Sequence, residues 1–413
     1  MKRIVLGLAL VSLLALGGPA FADLCTIDDV PAATLLLPYF EVDVSDPQGV
    51  NTLFSVNNAT AAPVLAHVTL WTDLSIATLD FDLYLTGYDV QTFSVRDIFN
   101  GVVPQTGPSN ALSPLGAFSA PHSVPASCAG GLPVGNPGAA LVTLINQAHT
   151  GDPVAFFGGQ CAGVNFGDGI VRGYITVDVV EECSTAFPNT PGYFDTIAGF
   201  DNVIWGDYFY VDPTNNFAQG ETLVHVEADP AELAFAPGDY TFYGRYVAFT
   251  AVDQREPLPS IFATRFINGG LFTGGTDLIC WRDSKSDPSP FPCGTLPVPF
   301  PLSQNQVVIF DEQENPELVE ESRFSPGEPG VDVLACPWEA QRSEIGGIDF
   351  PVTPTFGWLY LNLNTTIAGA GLNPFAQAWV TAVMDADTRF SVGFDAIQLN
   401  DLCIPNDVIL PVL

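Results

Sequence analysis

Three titratable side chains occupy alternate positions of one short segment. Residues 223–229 alternate between apolar and polar types, so a β-strand would place His225, Glu227 and Asp229 on the same face. A histidine beside two carboxylates can bind a metal ion or transfer protons. The same alternation is typical of an amphipathic strand whose polar face is solvated, which is the simpler interpretation.

A turn just upstream carries several side-chain oxygens. Asp212, Asn215 and Asn216 are close together in the sequence, and Glu221 follows nearby. Carboxylate and amide oxygens are the ligands that Ca²⁺ prefers, so the turn is a candidate calcium site. Asx turns, in which a short polar side chain bonds the nearby backbone, explain the same residues without a metal.

Tryptophans could stack on sugar rings. The chain has 6 of them, and most lie in apolar strand-like segments that favour core packing. Trp205 stands beside Gly206 and Asp207, so it is the tryptophan whose exposure we would test and the candidate for ligand stacking. Paired carboxylates, which glycoside hydrolysis needs, are unavoidable among 46 acidic residues and therefore indicate little by themselves.

Known catalytic motifs are absent from the sequence. It has no G-x-S-x-G nucleophile elbow, no H-E-x-x-H zinc motif, no P-loop and no complete G-x-G-x-x-G fingerprint. It also lacks the D-x-[DN]-x-[DN]-G loop of EF-hands. These absences favour a protein that is not an enzyme and leave the question of activity open.

Composition excludes two broad classes of protein. The 413 residues include 12 Lys and Arg against 46 Asp and Glu, which gives a formal net charge of −34. DNA, RNA and anionic membranes would repel so acidic a chain. Because 47% of the residues are apolar and only 14% are charged, the chain has material for a core and is unlike an acidic disordered tail.

The N-terminus has the three parts of a secretory signal peptide, predicted to span residues 1–22. Lys2 and Arg3 precede the apolar run 4–16, and an A-x-A cleavage site ends at Ala22. The apolar run is shorter than the roughly 20 residues that span a bilayer, and no later stretch is long enough. We therefore expect a secreted bacterial protein, extracellular or at the cell surface, with the periplasm as the alternative.

The 8 cysteines all follow the expected cleavage site, and this even number predicts four disulfides in an exported chain. Cys280 and Cys293 would close a proline-rich loop. Cys25 and Cys403 would join the chain ends, because the segments around them match at five of eight positions. The remaining cysteines are Cys128, Cys161, Cys183 and Cys336.

Strand patterns recur along the chain. Residues 78–85 and 170–181 alternate apolar and polar side chains, as half-buried strands do. Other predicted elements are strands at 89–99 and 240–252, a helix at 139–148 and a short acidic helix at 316–321. Many short strands separated by Gly and Pro predict an all-β fold of antiparallel sandwiches with few helices.

A chain of this length exceeds the size at which one hydrophobic core usually stops growing, so we expect two packed sandwich domains. The predicted division separates residues 23–255 from residues 256–413. The Gly- and Pro-rich segment 101–138 is expected to form a long ordered loop of the first domain. If the last strand pairs back with the N-terminus, the domains are interleaved.

These observations predict an exported, non-enzymatic β-sandwich protein with a structural, adhesive or ligand-binding role. Its partners would be further copies of itself, a cell surface or a glycan, and Ca²⁺ is the one cofactor that the sequence suggests. The alternative is a secreted hydrolase that acts on glycans through carboxylates and holds structural calcium.

Overall fold

Short antiparallel strands make up most of the regular structure. The computed structural model describes residues 24–27, 29–108, 112–121, 123–318, 334–347, 350, 352–364, 376–400, 403 and 410. The strands are β1 (Thr34–Val42), β2 (Asn51–Asn58), β3 (Val64–Thr72), β4 (Ala77–Leu85), β5 (Val90–Ser94), β6 (Val171–Val179), β7 (Ile204–Trp205), β8 (Asp207–Asp212), β9 (Phe217–Thr222), β10 (Val224–Val226), β11 (Ile261–Ile267), β12 (Gly275–Arg282), β13 (Gln306–Phe310), β14 (Pro316–Leu318), β15 (Ala340–Ile345), β16 (Phe356–Asn362), β17 (Ala378–Asp385), β18 (Ser391–Asp395) and β19 (Ile397–Gln398).

Helices are few and short in the described part of the chain. They are α1 (Val95–Phe99), α2 (Ala139–His149) and α3 (Tyr193–Thr196), with single 3₁₀ turns at Ala126–Cys128 and Ala155–Phe157. The helix expected at 139–148 is confirmed by α2. The strand expected at 89–99 is wrong beyond Ser94, whose side chain accepts from the backbone N–H of Asp97 and caps α1. No described helix has the length and apolar character needed to cross a bilayer.

The strands form four sheets, named I to IV here. Sheet I has the order β5-β2-β8-β9, with β7 paired to β2, and sheet II has the order β10-β1-β6-β3-β4. Sheet III has the order β15-β12-β17-β18, and sheet IV has the order β14-β13-β16-β11-β19. All pairings between these described strands are antiparallel, which confirms the predicted all-β sandwich architecture.

Sheets I and II form an N-terminal sandwich, and sheets III and IV form a C-terminal sandwich. Side chains of β12 show how the two sandwiches meet. Leu278 and Cys280 belong to the core between sheets III and IV, whereas Ile279 and Trp281 belong to the core of the N-terminal sandwich. Since successive strand residues point to opposite faces, sheet III packs on sheet IV with one face and on sheet II with the other.

The contact between sheets II and III, called the sandwich interface here, is built from aromatic rings. Strand β1 lies against β12 and β15, and β6 lies against β15. The ring of Trp281 meets Tyr174 edge to face at 5.9 Å and stacks on Phe242 at 5.5 Å. Such arrangements are favourable beyond the area that they bury, so the two sandwiches are joined by a well-packed contact.

The sandwich interface also buries an ion cluster around Arg245. The Arg245 guanidinium is hydrogen-bonded to Glu339, lies 3.3 Å from Asp283 and donates to the hydroxyls of Ser75 and Tyr174 at 3.2 Å each. Burial raises the pKa of Glu339 to about 7, although Arg245 acts in the opposite direction. The cluster therefore joins both sandwiches through buried charges that compensate one another.

The strand expected at 240–252 is wrong, because this segment fills the sandwich interface with turns. Ala248, Phe249 and Ala251 have φ values of 52°, 58° and 59°. These lie in the left-handed region, which strands do not adopt. The segment instead carries Arg245 into the ion cluster.

The short helix expected at 316–321 is wrong where the structure describes it. Pro316–Leu318 form β14, which pairs with β13 at the edge of sheet IV, and residues 319–321 lie outside the described residues. An edge strand tolerates Pro316 because a proline there needs no ladder hydrogen bond from its nitrogen.

Four disulfides join distant parts of the chain. They are Cys25–Cys403, Cys128–Cys183, Cys161–Cys293 and Cys280–Cys336. The bond that was expected between the chain ends is thus present. The expected bond between Cys280 and Cys293 is wrong, because Cys280 is fully buried in the core between sheets III and IV while Cys293 is exposed.

Strand pairing is compatible with the expected division of the chain near residue 255, which stays a prediction. The described strands β1 to β10 pair only with one another, and so do β11 to β19. The described parts of loop 101–138 contain no strand, and a disulfide from Cys128 attaches this loop to Cys183. The predicted signal peptide and most of the last strand lie outside the described residues, but Leu410 exchanges two hydrogen bonds with the Gln306 side chain on β13.

Candidate functional site: a cleft between the sandwiches

A cleft of about 920 Å³ opens between sheets II and III. This volume lies within the roughly 300–1,000 Å³ that ligand pockets have. The side chains that define the cleft are Tyr39, Glu41, Phe166 and Arg172 of the N-terminal sandwich and Asp277, Trp338 and Arg342 of the C-terminal sandwich. The site is therefore formed only when the two sandwiches pack together.

A network of paired charges lies in the cleft. Arg342 donates to Glu41 at 2.8 Å and to Asp277 at 2.6 Å. The Tyr39 hydroxyl donates to the second oxygen of Glu41 at 3.2 Å. The Phe217 ring lies 5.2 Å from the Arg342 guanidinium carbon. A guanidinium that bridges two carboxylates has a fixed orientation, so the remaining donors and acceptors are pre-oriented.

Burial and ion pairing have opposite effects on the pKa values of Asp277 and Arg342. Burial raises the pKa of Asp277, and the positive charge of Arg342 only partly offsets this rise. Burial lowers the pKa of Arg342, but the charges of Glu41 and Asp277 more than compensate, so this pKa is raised overall. Burial and the Glu41 charge raise the pKa of Tyr39 well above its ordinary value. Arg342 and Tyr39 therefore stay protonated at neutral pH and act as hydrogen-bond donors.

Aromatic side chains from both sandwiches reach the cleft. Phe166, in the segment before β6, is 48% exposed, and the Arg172 guanidinium carbon lies 4.7 Å from its ring centroid. Arg172 is held in turn by two hydrogen bonds to Asp168 at 2.9 and 2.6 Å. Trp338, just before β15, is partly exposed, and its backbone N–H donates to the Gln341 side chain at 2.7 Å. The cleft thus combines aromatic surfaces with fixed polar groups.

A disulfide lies in the apolar cluster behind the aromatic side chains of the cleft. Cys161, shortly before Phe166 in the chain, is bonded to Cys293 across 132 residues. Cys161 and Phe291 also exchange backbone hydrogen bonds of 2.9 and 3.0 Å. Trp338 packs against the same small apolar cluster that contains Cys161 and Phe291. The cross-link therefore supports both the segment that leads to Phe166 and the cluster on which Trp338 packs.

A second cavity of about 630 Å³ lies near the joined chain ends. Asp29 and His225 line it from the N-terminal part, and Trp379 and Asp395 line it from the C-terminal sandwich. Burial and the charges of Asp395 and Asp29 raise the pKa of nearby Glu221 to about 7. In the part of the chain that the structure describes, no three His, Cys, Asp or Glu side chains are arranged to hold a metal ion.

The solvated-face interpretation of residues 223–229 is wrong for His225 and Glu227. His225 on β10 is 4% exposed, and Glu227, one residue beyond β10, is 3% exposed. Neighbouring segments cover them, and Glu256 accepts from the Glu227 backbone N–H at 3.0 Å. Asp229 lies outside the strand and accepts from three backbone N–H groups of the following turn. Of the three side chains, His225 and Glu227 are buried and Asp229 is partly exposed.

The residues of the candidate calcium site do not meet at one point. Asp212 accepts from the backbone and side chain of Asn215 at 3.2 and 2.7 Å, as in an Asx turn. The Asn216 side chain donates to two carbonyls of the turn before β18. In the register of β8 and β9, Asp212 lies opposite Phe217, while Glu221 lies four residues farther along β9. The structure therefore shows a hairpin turn stabilised by Asp212, and Glu221 lies farther along β9, away from this turn.

Trp205, the tryptophan singled out from the sequence, is exposed. Its side chain is 41% exposed on β7, opposite Asn57 of β2. It belongs to sheet I and does not line the cleft. Its role in ligand stacking stays a prediction.

Sequence reasoning missed the charged residues of the cleft. The small number of basic residues was one available signal, because the chain has only 12 Lys and Arg. A basic residue that becomes buried is almost always paired with an acidic one. The partner itself is not readable from the sequence, since Glu41 and Arg342 are 301 residues apart.

Comparisons with known proteins leave the family open. No protein-family model matches the chain, and no curated protein matches its sequence. A solved structure named "Biofilm associated protein - B domain" aligns with 93% of this chain and 90% of that chain, at 9% identity and a TM-score of 0.16. A TM-score this low carries no argument about fold or function.

Proposed function

We propose that this chain is an exported, disulfide-stabilised protein that recognises a ligand in the cleft between its sandwiches and does not transform it chemically. The cleft is the observation that carries the proposal. Four disulfides and the signal-peptide pattern support export, because disulfides persist in oxidising compartments.

The cleft has the composition of a recognition site. Ligand pockets combine aromatic or apolar surfaces with a small number of fixed polar groups. Phe166 and Trp338 supply the aromatic surfaces, and the network around Arg342 supplies the polar groups. Because ion pairs already hold this network, a ligand has less side-chain entropy to remove when it binds.

A thermal-shift panel on the mature, oxidised protein tests the proposal. The panel contains neutral oligosaccharides, uronic-acid oligosaccharides, polyamines and amino acids. A ligand at 100 times its Kd stabilises the native state by about 2.7 kcal/mol, which raises Tm by a measurable amount. We expect at least one class to raise Tm in the unmodified protein and in Trp205→Ala, but not in Trp338→Ala.

Two results would contradict the proposal. The first is that no class changes Tm. The second is a shift of unchanged size in both Trp338→Ala and Phe166→Ala. Phe166 is half exposed, so its replacement provides a cleft variant with little risk to folding.

Hydrolysis of glycans is the second candidate function, and one observation favours it. Asp277 is a partly buried carboxyl with a raised pKa in an aromatic-lined cleft, and Glu41 lies across Arg342 from it. A general acid needs such a raised pKa, with a second carboxylate nearby. Against this, both carboxylates are ion-paired with the same guanidinium. Reducing ends released from a neutral polysaccharide, and lost in Asp277→Asn, would establish the hydrolase; we expect none.

A further inference from the structure

We infer that the ligand of the cleft is a neutral carbohydrate segment, an inference that rests on the proposed function of the cleft. Three properties of the cleft carry it: the balance of charges, the placement of aromatic rings and the supply of hydrogen-bond donors and acceptors. Each excludes or favours a chemical class of ligand.

The balance of charges disfavours an anionic ligand. Arg342 is already shared between Glu41 and Asp277, and Arg172 is paired with Asp168. Glu344 also lines the cleft, so the acidic groups outnumber the two arginines. An anion would approach a locally negative site on a molecule with a net charge of −34.

The same pairing disfavours a cationic ligand. A cation would have to displace Arg342 from Glu41 or Asp277, at distances of 2.8 and 2.6 Å. Breaking one partner out of a largely buried ion pair leaves an uncompensated charge and is strongly unfavourable. A neutral polyol avoids this cost, because it adds hydrogen bonds to paired groups without separating them.

The aromatic rings match a flat ligand with one apolar face. Phe166 and Trp338 come from opposite sandwiches, and both line the cleft. The C–H face of a pyranose ring packs on an aromatic ring, while its hydroxyl groups point sideways. A guanidinium stacked on Phe166, as Arg172 is, also presents N–H groups beside that ring.

Carboxylates and guanidinium groups that are already paired suit sugar hydroxyls. Each paired carboxylate oxygen keeps lone pairs that accept from a hydroxyl, and each guanidinium keeps N–H groups that donate to one. Hydroxyl groups are both donors and acceptors, so a sugar satisfies both kinds of group. The volume of about 920 Å³ accommodates an oligosaccharide segment.

Isothermal titration calorimetry with defined probes tests the ligand class. The probes are maltohexaose, cellohexaose and xylohexaose as neutral sugars, hexagalacturonate as the anion and spermidine as the cation. We expect a neutral hexaose to bind best, with an affinity that changes less than about twofold between low and high salt. Trp338→Ala and Phe166→Ala should each weaken binding at least tenfold, whereas Trp205→Ala should leave it unchanged.

The outcomes separate this inference from the function on which it rests. Tighter binding of hexagalacturonate or spermidine, with strong salt dependence and loss in Trp338→Ala, overturns the neutral-sugar inference while the cleft remains a ligand site. Binding of a neutral hexaose that is lost only in Trp205→Ala overturns both and assigns recognition to sheet I. Failure of all five probes overturns the inference. Circular dichroism of each variant confirms that the fold is intact.

Discussion

Arg245 joins the two sandwiches through a buried set of charges and hydroxyl groups. Its buried guanidinium is shared between Glu339 and Asp283, which come from the C-terminal sandwich, and it reaches Ser75 and Tyr174 of the N-terminal one. The positive charge of Arg245 offsets the cost of burying the two carboxylates, and the carboxylates offset the cost of burying the guanidinium.

Replacement of Arg245 by alanine should strongly destabilise the protein. The change leaves Glu339 and Asp283 buried with no guanidinium between them. Removal of one partner from a buried ion pair typically costs about 3–5 kcal/mol. The free energy of unfolding, measured by denaturant titration of the oxidised protein, should fall by about this amount.

Arg265 offers a matched control, because it lies exposed on β11. Arg265→Ala should change the free energy of unfolding by no more than about 0.5 kcal/mol. Equal effects of the two replacements would show that the Arg245 cluster does not hold the interface.

At the scale of elements, the disulfide between Cys161 and Cys293 lies in the apolar cluster on which Trp338 packs, and Cys161 shortly precedes Phe166 in the chain. Its partners are 132 residues apart, and the surrounding apolar cluster includes Trp338. The other element that could have formed the site, the strand carrying His225, is covered by its neighbours instead.

A Cys161→Ser, Cys293→Ser double variant should lose both stability and ligand affinity. Loss of a native disulfide typically costs about 2–5 kcal/mol, because the unfolded chain gains freedom. The apolar cluster that supports Trp338 also loses its cross-link, so we expect the affinity for the neutral hexaose to fall several-fold. Denaturant titration and calorimetry measure the two effects separately.

The pair Cys128–Cys183 supplies the comparison, since its members are 55 residues apart and do not line the cleft. Its double serine variant should lose stability by a similar amount and keep the same affinity for the hexaose. An affinity loss of the same size in both variants would mean that the first disulfide acts only through global stability.

For the molecule as a whole, buried carboxyl groups make stability depend on pH. Burial raises the pKa of Asp73 to about 7, of Asp253 to about 6 and of Glu339 to about 7. A carboxyl group whose pKa is raised by folding binds its proton more tightly in the native state. Its favourable contribution is complete below the ordinary carboxyl pKa near 4 and is lost as the pH rises through about 6–7.

We therefore expect the native protein to be more stable at pH 5 than at pH 8. Acidification also reduces the repulsion within a chain of net charge −34, which acts in the same direction. Calorimetric Tm values between pH 4 and pH 8 should decline by several degrees toward the alkaline end. A Tm that rises steadily toward pH 8 would contradict the expectation.

The variant Asp73→Asn distinguishes the effect of this buried carboxyl on the pH dependence of Tm from the effect of overall charge repulsion. An amide resembles the protonated acid, so this variant should show a smaller decline in Tm between pH 5 and pH 8. Asp201→Asn removes an exposed carboxylate and should keep the slope of the unmodified protein. Identical slopes in all three proteins would show that Asp73 does not contribute to the pH dependence.

The sequence by itself determined the fold class, helix α2, the number of disulfides and the bond between Cys25 and Cys403. These features depend on local alternation, on turn residues and on a repeated motif, all of which lie within short stretches of chain. It also singled out Trp205 for a test of exposure, and this side chain is exposed. It predicted the wrong partner for Cys280, because sequence spacing does not show that this side chain points into a core.

Only the tertiary structure decided where the candidate site lies. Glu41 and Arg342 are 301 residues apart, and their contact requires sheet III to pack on sheet II in one register. A shift of one residue in a strand would turn such side chains to the opposite face. The burial of His225 has the same origin, since a polar residue on an alternating strand becomes buried when other segments cover that face. Contacts between distant segments therefore determined the chemistry, while local patterns determined the architecture.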